Sequence, residues 1–262
     1  IRSAGLLRDA AVLGSRNSAA AIRCFSRINV EPRSYQLVPL LMGLRNPEEV
    51  VRLLIADGVG IGKTIESLLI ARELWDRGEI RRMAVLCPPA LADQWHREMV
   101  EKFQLDAALV LASTARKLES RIIGGGTLFE NYPVTVVSLD YIKSERRRQE
   151  FLRTAPELII VDEAHTCVGS TGQGQSHLRY EVVNGLAQDP ERHMLLVTAT
   201  PHSGNQQAFD TLISMLTPEL RQAHGRVTEE TLRARLARHF IQRRRRDVQP
   251  FMDEDTRLPE RL

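Results

Sequence analysis

Six short apolar runs punctuate the chain: 52–56 (RLLIA), 83–87 (MAVLC), 107–111 (AALVL), 134–138 (VTVVS), 157–161 (ELIIV) and 194–198 (MLLVT). Their length and aliphatic makeup are those of strands buried on both faces. Between them, apolar residues recur at helical spacing, as at Ile65, Leu68, Leu69 and Ala71 of TIESLLIAREL, 64–74. Strands alternating with helices predict βαβ units with right-handed crossovers. The fold class that follows is α/β, a doubly wound, mainly parallel sheet with helices on both faces. Gly124 to Gly126 reads as a loop, and the apolar-poor 169–176 (GSTGQGQS) as a mobile one. A helix is predicted to start at Thr228-Glu229-Glu230, with Leu232, Leu236 and Phe240 as its apolar stripe. Beyond it, Arg243 to Arg246 reads as a solvated charge run, leading to the acid-rich 253–255.

Two strings carry candidate chemistry. ADGVGIGKT at 56–64 follows the first predicted strand and opens a helix. Gly60 and Gly62 free the backbone so that consecutive N–H groups curl around phosphate oxygens, beside the positive end of a helix dipole. Asp57, Gly58, Val59, Gly60, Ile61 and Gly62 form the candidate phosphate loop. Lys63 is placed to reach the β- and γ-phosphates and Thr64 to ligate Mg²⁺. The general pattern has glycine where this chain has Asp57. The second string, VDEAH at 161–165, ends a continuous apolar run. Asp162 is the candidate magnesium ligand and Glu163 the residue that orients or deprotonates the attacking water. Carboxylates at the carboxyl end of a parallel strand lie where open α/β sheets bind ligands. Lys63, Asp162 and Glu163 thus form the candidate catalytic set, with a nucleoside triphosphate and Mg²⁺ expected beside it.

Composition adjusts this picture in a few places. The 262 residues carry 43% hydrophobic and 26% charged side chains with a net charge of +3, ordinary values for a globular protein. No apolar stretch approaches the length needed to span a bilayer. The basic residues are skewed: four lysines (63, 102, 117, 143) stand against 32 arginines. Arginine suits phosphate recognition, although a compositional bias of the source accounts for the skew equally well. Three cysteines (24, 87, 167) without CxxC spacing fit a reducing, cytoplasmic setting with neither disulfide nor zinc site. The first residue is Ile1, which reads as a fragment of a longer chain, and the Ala-, Ser- and Arg-rich 1–30 as a helical N-terminal extension.

Further strings fall in the order used by superfamily-two helicases and translocases. PRSYQ at 32–36 resembles the Q motif, which makes Gln36 the adenine-reading candidate. CPPALADQW at 87–95 resembles motif Ia, and VVSLDY at 136–141 the next motif that contacts nucleic acid. From these the resemblance implies backbone contacts at Pro89 and Ser138. LLVTATPHSGN at 195–205 resembles motif III, implying that Thr198 and Thr200, with His165, couple the nucleotide to nucleic acid. Asp57 in the glycine loop, the series Cys87, Pro88, Leu91, Trp95, Glu98, Lys102 and Phe103, and QRRRRDV at 242–248 are similar to the Swi/Snf-like branch. Gly58 departs from the glutamate many relatives have there. TATPHSG and DEAHTC look most like bacterial members, including the helicase component of phage-defence systems.

The resemblance covers roughly 31–250 and implies a RecA-like P-loop NTPase lobe at 31–241, with 242–262 as a linker toward a second RecA-like lobe. That lobe would supply arginine fingers, worth about 10³–10⁵ in rate in related NTPases. Without it, the fragment is expected to hydrolyse ATP hardly at all. The implied function is that of an ATP-driven translocase on double-stranded DNA, held through its phosphate backbone, with other subunits as possible partners. The alternatives are a strand-separating DNA or RNA helicase, and a nucleotide-dependent switch or scaffold with little turnover. Trp95, at helical spacing from Leu91 and Met99, reads as a core residue, and His202 as a loop residue.

Overall fold

The computed structural model describes residues 22–45, 50–168, 175–201, 206–217 and 236–251. Seven strands form one sheet: β1 Arg52–Ile55, β2 Met83–Cys87, β3 Ala108–Val110, β4 Val134–Ser138, β5 Leu158–Val161, β6 His193–Val197 and β7 Phe240–Ile241. Their order is β3-β4-β2-β5-β6-β1-β7, and every pairing is parallel. The six predicted strands are present within a residue or two of their expected bounds. The helices are α1 Val38–Leu44, α2 Lys63–Arg77, α3 Pro89–Phe103, α4 Ala115–Glu119, α5 Leu128–Asn131, α6 Glu145–Arg153, α7 Gln175–Ala187, α8 Gln206–Leu216 and α9 Arg245–Val248. Of the predicted helical extension, 1–21 lie outside the described residues, as do His202, Thr228 to Glu230, Leu232, 169–174 and the acid-rich 253–255. Cys24–Arg27, at the end of that predicted extension, form a short 3₁₀ turn.

The period of two in each strand divides the core into two layers. Leu53, Ile55, Val85, Val136, Ile160 and Leu195 face one cluster with Leu68 of α2 and Trp95 of α3, while Leu54, Leu86, Val137, Ile159 and Leu196 face the other with Phe151 of α6 and Leu212 of α8. On the second face Phe129 meets Phe151 edge-on at 4.7 Å, a preferred aromatic geometry. Helix α2 starts at left-handed Gly62 and ends at left-handed Gly78, which supplies the usual C-terminal stop.

The end of the chain departs from the sequence reading. Residues 236–239 are helical, but Phe240 is not part of an apolar helical stripe. It begins β7, which extends the sheet beside β1 and packs edge-on against Phe209 at 5.2 Å. Two residues of strand are too short for any periodicity to reveal. Arg243, expected in a solvated linker, is buried. Tertiary pairing with acids distant in sequence outweighs the usual fate of a charge run.

Candidate active site

Register places the candidate groups along one rim. Ala56 N–H donates to the Ile241 carbonyl, Thr198 N–H to that of Ile55, and Asp162 N–H to that of Leu86. Each strand therefore runs out at about the same height, and because all are parallel their carboxyl ends face the same way. The glycine loop follows β1, the acidic pair follows β5, and Thr198 follows β6, the strand between them. With strands roughly 4.8 Å apart, the loop and the acids stand about 10 Å from each other, with the Thr198 turn in the middle.

The loop is shaped by backbone and neighbours. Gly60 and Gly62 have φ of 84° and 116°, conformations that glycine adopts at little cost. Val59 and Gly60 are exposed, whereas Ile61 is buried and anchors the loop. Lys63 Nζ donates to the Asp57 carbonyl at 3.0 Å and to that of Gly58 at 3.4 Å. Thr64 sits half-buried in the first turn of α2. At Gly58 an added Cβ would meet its neighbours only at ordinary contact distances of 3.6 and 3.7 Å, so space does not demand a glycine here.

Gln36 does not stand free to read a base. Its Oε1 accepts the Arg33 N–H at 2.9 Å and its Nε2 donates to the Ile61 carbonyl at 3.1 Å. A Cβ on Gly62 would fall 2.1 Å from that Nε2. The amide is thus a strut between the Ser34–Leu37 turn and the loop, with one lone pair and one N–H left over.

Asp57 calls for a correction. Its side chain is fully buried, and both oxygens accept from Arg243, Oδ1 from the backbone N–H at 2.7 Å and Oδ2 from Nε at 2.9 Å. The carboxylate is occupied by Arg243, and it is the backbone carbonyl of Asp57 that accepts from the lysine. Sequence reasoning missed Arg243 because its partner lies 186 positions earlier.

Asp162 is held from two sides. Its Oδ1 accepts the Glu163 N–H at 2.9 Å and its Oδ2 the indole N–H of Trp95 at 2.7 Å. Trp95 is buried, as read, and the indole contact is an addition the helical spacing could not show. Each oxygen keeps a further lone pair. Magnesium beside a triphosphate needs only one or two protein ligands, so one carboxylate oxygen with the Thr64 hydroxyl fits its donor preferences. Below Asp162 the buried Cys87 thiol is pushed up to about 12 by burial and then by the Asp162 charge, so it is no nucleophile.

Glu163 has φ 50° and ψ 43°, a left-handed conformation that a non-glycine residue adopts at a cost of about 1–3 kcal/mol. The kink ends β5 and starts a 3₁₀ turn, Ala164–Cys167, which brings His165 back toward the sheet. His165 Nδ1 lies 3.1 Å from Glu163 Oε2 and 2.9 Å from Thr198 Oγ1. Nδ1 thus stands between a carboxylate and a hydroxyl. Thr198 Oγ1 also accepts the Thr200 N–H at 3.1 Å. Glu163, His165, Thr198 and Thr200 therefore form one hydrogen-bonded row from β5 to β6.

The two nucleic-acid candidates differ from each other in exposure. Pro89 is exposed as the first residue of α3, a position that proline's fixed φ and missing N–H suit. Ser138 is the last residue of β4, where the apolar run 134–138 puts it, and it is buried with its hydroxyl accepting the Asp140 N–H at 3.2 Å. Its side chain is occupied in shaping the turn that follows. Among the described residues no helix is long and apolar enough to cross a membrane.

Comparison with known proteins agrees with the fold. The chain is 32% identical over 169 residues to the RNA polymerase-associated protein RapA of Yersinia enterocolitica, a match covering 64% of this chain and 17% of that protein. The RapA of Proteus mirabilis is 33% identical over 168 residues, with the same shares covered. In structure the chain resembles the Sulfolobus solfataricus SWI2/SNF2 ATPase core in complex with dsDNA, with TM-score 0.63, 17% identity, and coverage of 85% of this chain and 46% of that one. The Pyrococcus furiosus Hef helicase domain gives TM-score 0.57 at 18% identity, covering 84% and 40%. The chain thus spans about one sixth of the length of the RapA proteins and under half of either solved chain. The fold is the RecA-like lobe of SWI2/SNF2 ATPase cores, and a model of the SNF2-related domain matches residues 35–249, so the chain belongs to the SNF2-related family.

Proposed function

We propose that this chain is the nucleotide-binding lobe of an ATP-dependent translocase acting on double-stranded DNA. One observation carries the reading. Parallel strand ends set a glycine loop with its lysine, a carboxylate braced from two sides, and a Glu163–His165–Thr198 row along a single rim. In this reading the loop N–H groups and Lys63 bind the phosphates, and Thr64 and Asp162 hold Mg²⁺. The metal, when bound, neutralises charge on the phosphate oxygens. Glu163 orients the attacking water and accepts its proton. His165 and Thr198 report the state of that carboxylate to Thr200 and the segment beyond it. Gln36 acts on the nucleotide through the loop it props, with its remaining amide capacity turned to the base.

Double-stranded DNA enters because the Sulfolobus relative is described in complex with it, and because loop and helix-start contacts such as that at Pro89 suit a phosphate backbone. A second RecA-like lobe completes the site. RNA polymerase is the partner to which the relatives' name points, whereas a role in phage defence has only the TATPHSG and DEAHTC strings behind it.

The test is ATP hydrolysis by the full-length protein with duplex DNA, single-stranded DNA or RNA as activator. Duplex DNA should stimulate most, with Lys63→Ala and Glu163→Gln abolishing turnover. Stimulation by RNA alone would reject the translocase reading for that of an RNA helicase. Unchanged turnover in Glu163→Gln would overturn the assigned chemistry altogether.

A further inference from the structure

Arg243 belongs to the segment that leaves the sheet after β7, yet it touches three parts of the loop's surroundings. Its N–H and Nε donate to Asp57 at 2.7 and 2.9 Å, and Nη2 contacts both Asp57 and Glu66. Nη1 donates to the Tyr35 carbonyl, next to Gln36. In return the Arg243 carbonyl accepts the Gly58 N–H at 2.9 Å. One residue thus joins the Ser34–Leu37 turn, the start of the glycine loop and the first turn of α2.

The cluster is dry. Asp57 and Glu66 are fully buried, and Glu66 Oε2 has no hydrogen-bond partner among the described residues. One guanidinium facing two carboxylates leaves an uncompensated negative charge, which is costly in such a site. A proton on Glu66 removes it. Burial, and then the Asp57 charge, hold the Glu66 carboxyl well above the usual range, while Arg243 opposes them only in part. Arg243 and Asp57 are then a neutral ion pair with a neutral carboxyl beside it.

We propose that Arg243 is a positioning residue for the nucleotide loop, fixing its shape and tying that shape to the chain that leaves the sheet. Filling the loop with nucleotide is then felt at Arg244–Val248, although none of those residues belongs to the phosphate site. The inference rests on the loop being the nucleotide site, as proposed above. It adds a route by which occupancy reaches the exit segment.

The test uses the full-length protein with Mg²⁺ and a fluorescent ATP analogue. Affinity is measured by titration, and nucleotide-dependent hydrogen exchange is followed in peptides covering 240–251. In the unaltered protein, nucleotide should slow exchange there. Arg243→Met should weaken nucleotide binding about tenfold, the scale of one net hydrogen bond to a charged group, and should abolish the protection at 240–251. Arg243→Lys keeps the charge but cannot bridge both carboxyls. It should lose the protection too, and it carries the test if the methionine variant does not fold. Asp57→Asn should behave as Arg243→Met does. Glu66→Gln, a neutral isostere of the protonated acid, should weaken binding less than Asp57→Asn.

A merely structural Arg243 would lower thermal stability while leaving affinity and protection at their original values in the folded variants, and that result would overturn the proposal. Lys63→Ala separates the two readings. If Lys63→Ala abolishes binding while Arg243→Lys binds and protects normally, the nucleotide site stands and the latch fails. If the unaltered protein binds no nucleotide, both fall.

Discussion

The indole N–H of Trp95 points at the carboxylate of Asp162, 2.7 Å away. The contact follows from the strand order. β2 and β5 are neighbours, with Leu86 beside Val161, so the helix after β2 begins where β5 ends. Trp95 is one turn and a half into that helix, long enough to reach across. A donor at this place fixes the Asp162 rotamer without covering its remaining lone pairs. Trp95→Phe keeps most of the packing and removes the donor. It should cost about 1.5–3 kcal/mol of stability, as for a hydrogen bond to a charged group, and raise the Mg²⁺ concentration needed for half-maximal ATP hydrolysis several-fold. Equilibrium unfolding and a magnesium titration read the two effects, and an unchanged magnesium requirement would assign Trp95 to packing alone.

Gly62 is constrained both by its left-handed backbone and by Gln36 Nε2, 2.1 Å from any added Cβ. Gly62→Ala should therefore destabilise the protein by about 1–3 kcal/mol. Adding Gln36→Ala removes the obstacle but not the backbone cost. The double variant should lose less than the two single changes summed, and additive losses in denaturant titrations would show that the two side chains do not meet.

The row at His165 is expected to act on the stimulation of hydrolysis rather than on hydrolysis itself. Thr198→Val is nearly isosteric but deletes the oxygen shared by His165 and the Thr200 N–H. Basal turnover of the full-length protein should stay within a few-fold. Stimulation by DNA should fall about tenfold, roughly 1.4 kcal/mol in the barrier. Equal losses of basal and stimulated rates would place Thr198 in the chemistry instead.

Stability should depend on pH through His193. This ring is buried at the start of β6, with Nδ1 accepting the Val51 N–H at 3.0 Å. Burial, and then the Arg52 charge, push its pKa below the usual value, against a smaller pull from Glu157. The unfolded chain takes up this proton at about 6.5, before the folded one does. The contribution is therefore complete above about pH 6.5 and is lost as pH falls from there toward the folded value. His193→Gln should flatten that part of the stability curve, as measured by chemical denaturation at pH 7.5 and 5.5. A slope unchanged by the substitution would point to another group.

Reading the chain unaided located the strands well, because a parallel sheet buried on both faces writes itself as uninterrupted aliphatic runs, as in Leu158 to Val161. The glycine loop and DEAH string were legible for a local reason, since their chemistry is compressed into consecutive residues. What sequence hid was pairwise and distant. Nothing near Arg243 marks it as the one arginine of its run that is buried, since Asp57 and Glu66 lie about 180 positions away. Nothing near Trp95 reveals that β5 is next to β2. Nothing near Ser138 reveals that its hydroxyl accepts the Asp140 N–H and shapes the turn after β4.

The fold-back of Lys63 onto its own loop has a further consequence. With two carbonyls for neighbours, this ammonium already has its hydration partly replaced, so an incoming ligand must draw it away rather than simply meet it. Drawing it away costs both carbonyl contacts, so any ligand of this ammonium must offer acceptors at least as good. Those two carbonyl contacts set the starting point from which any rearrangement of the loop begins.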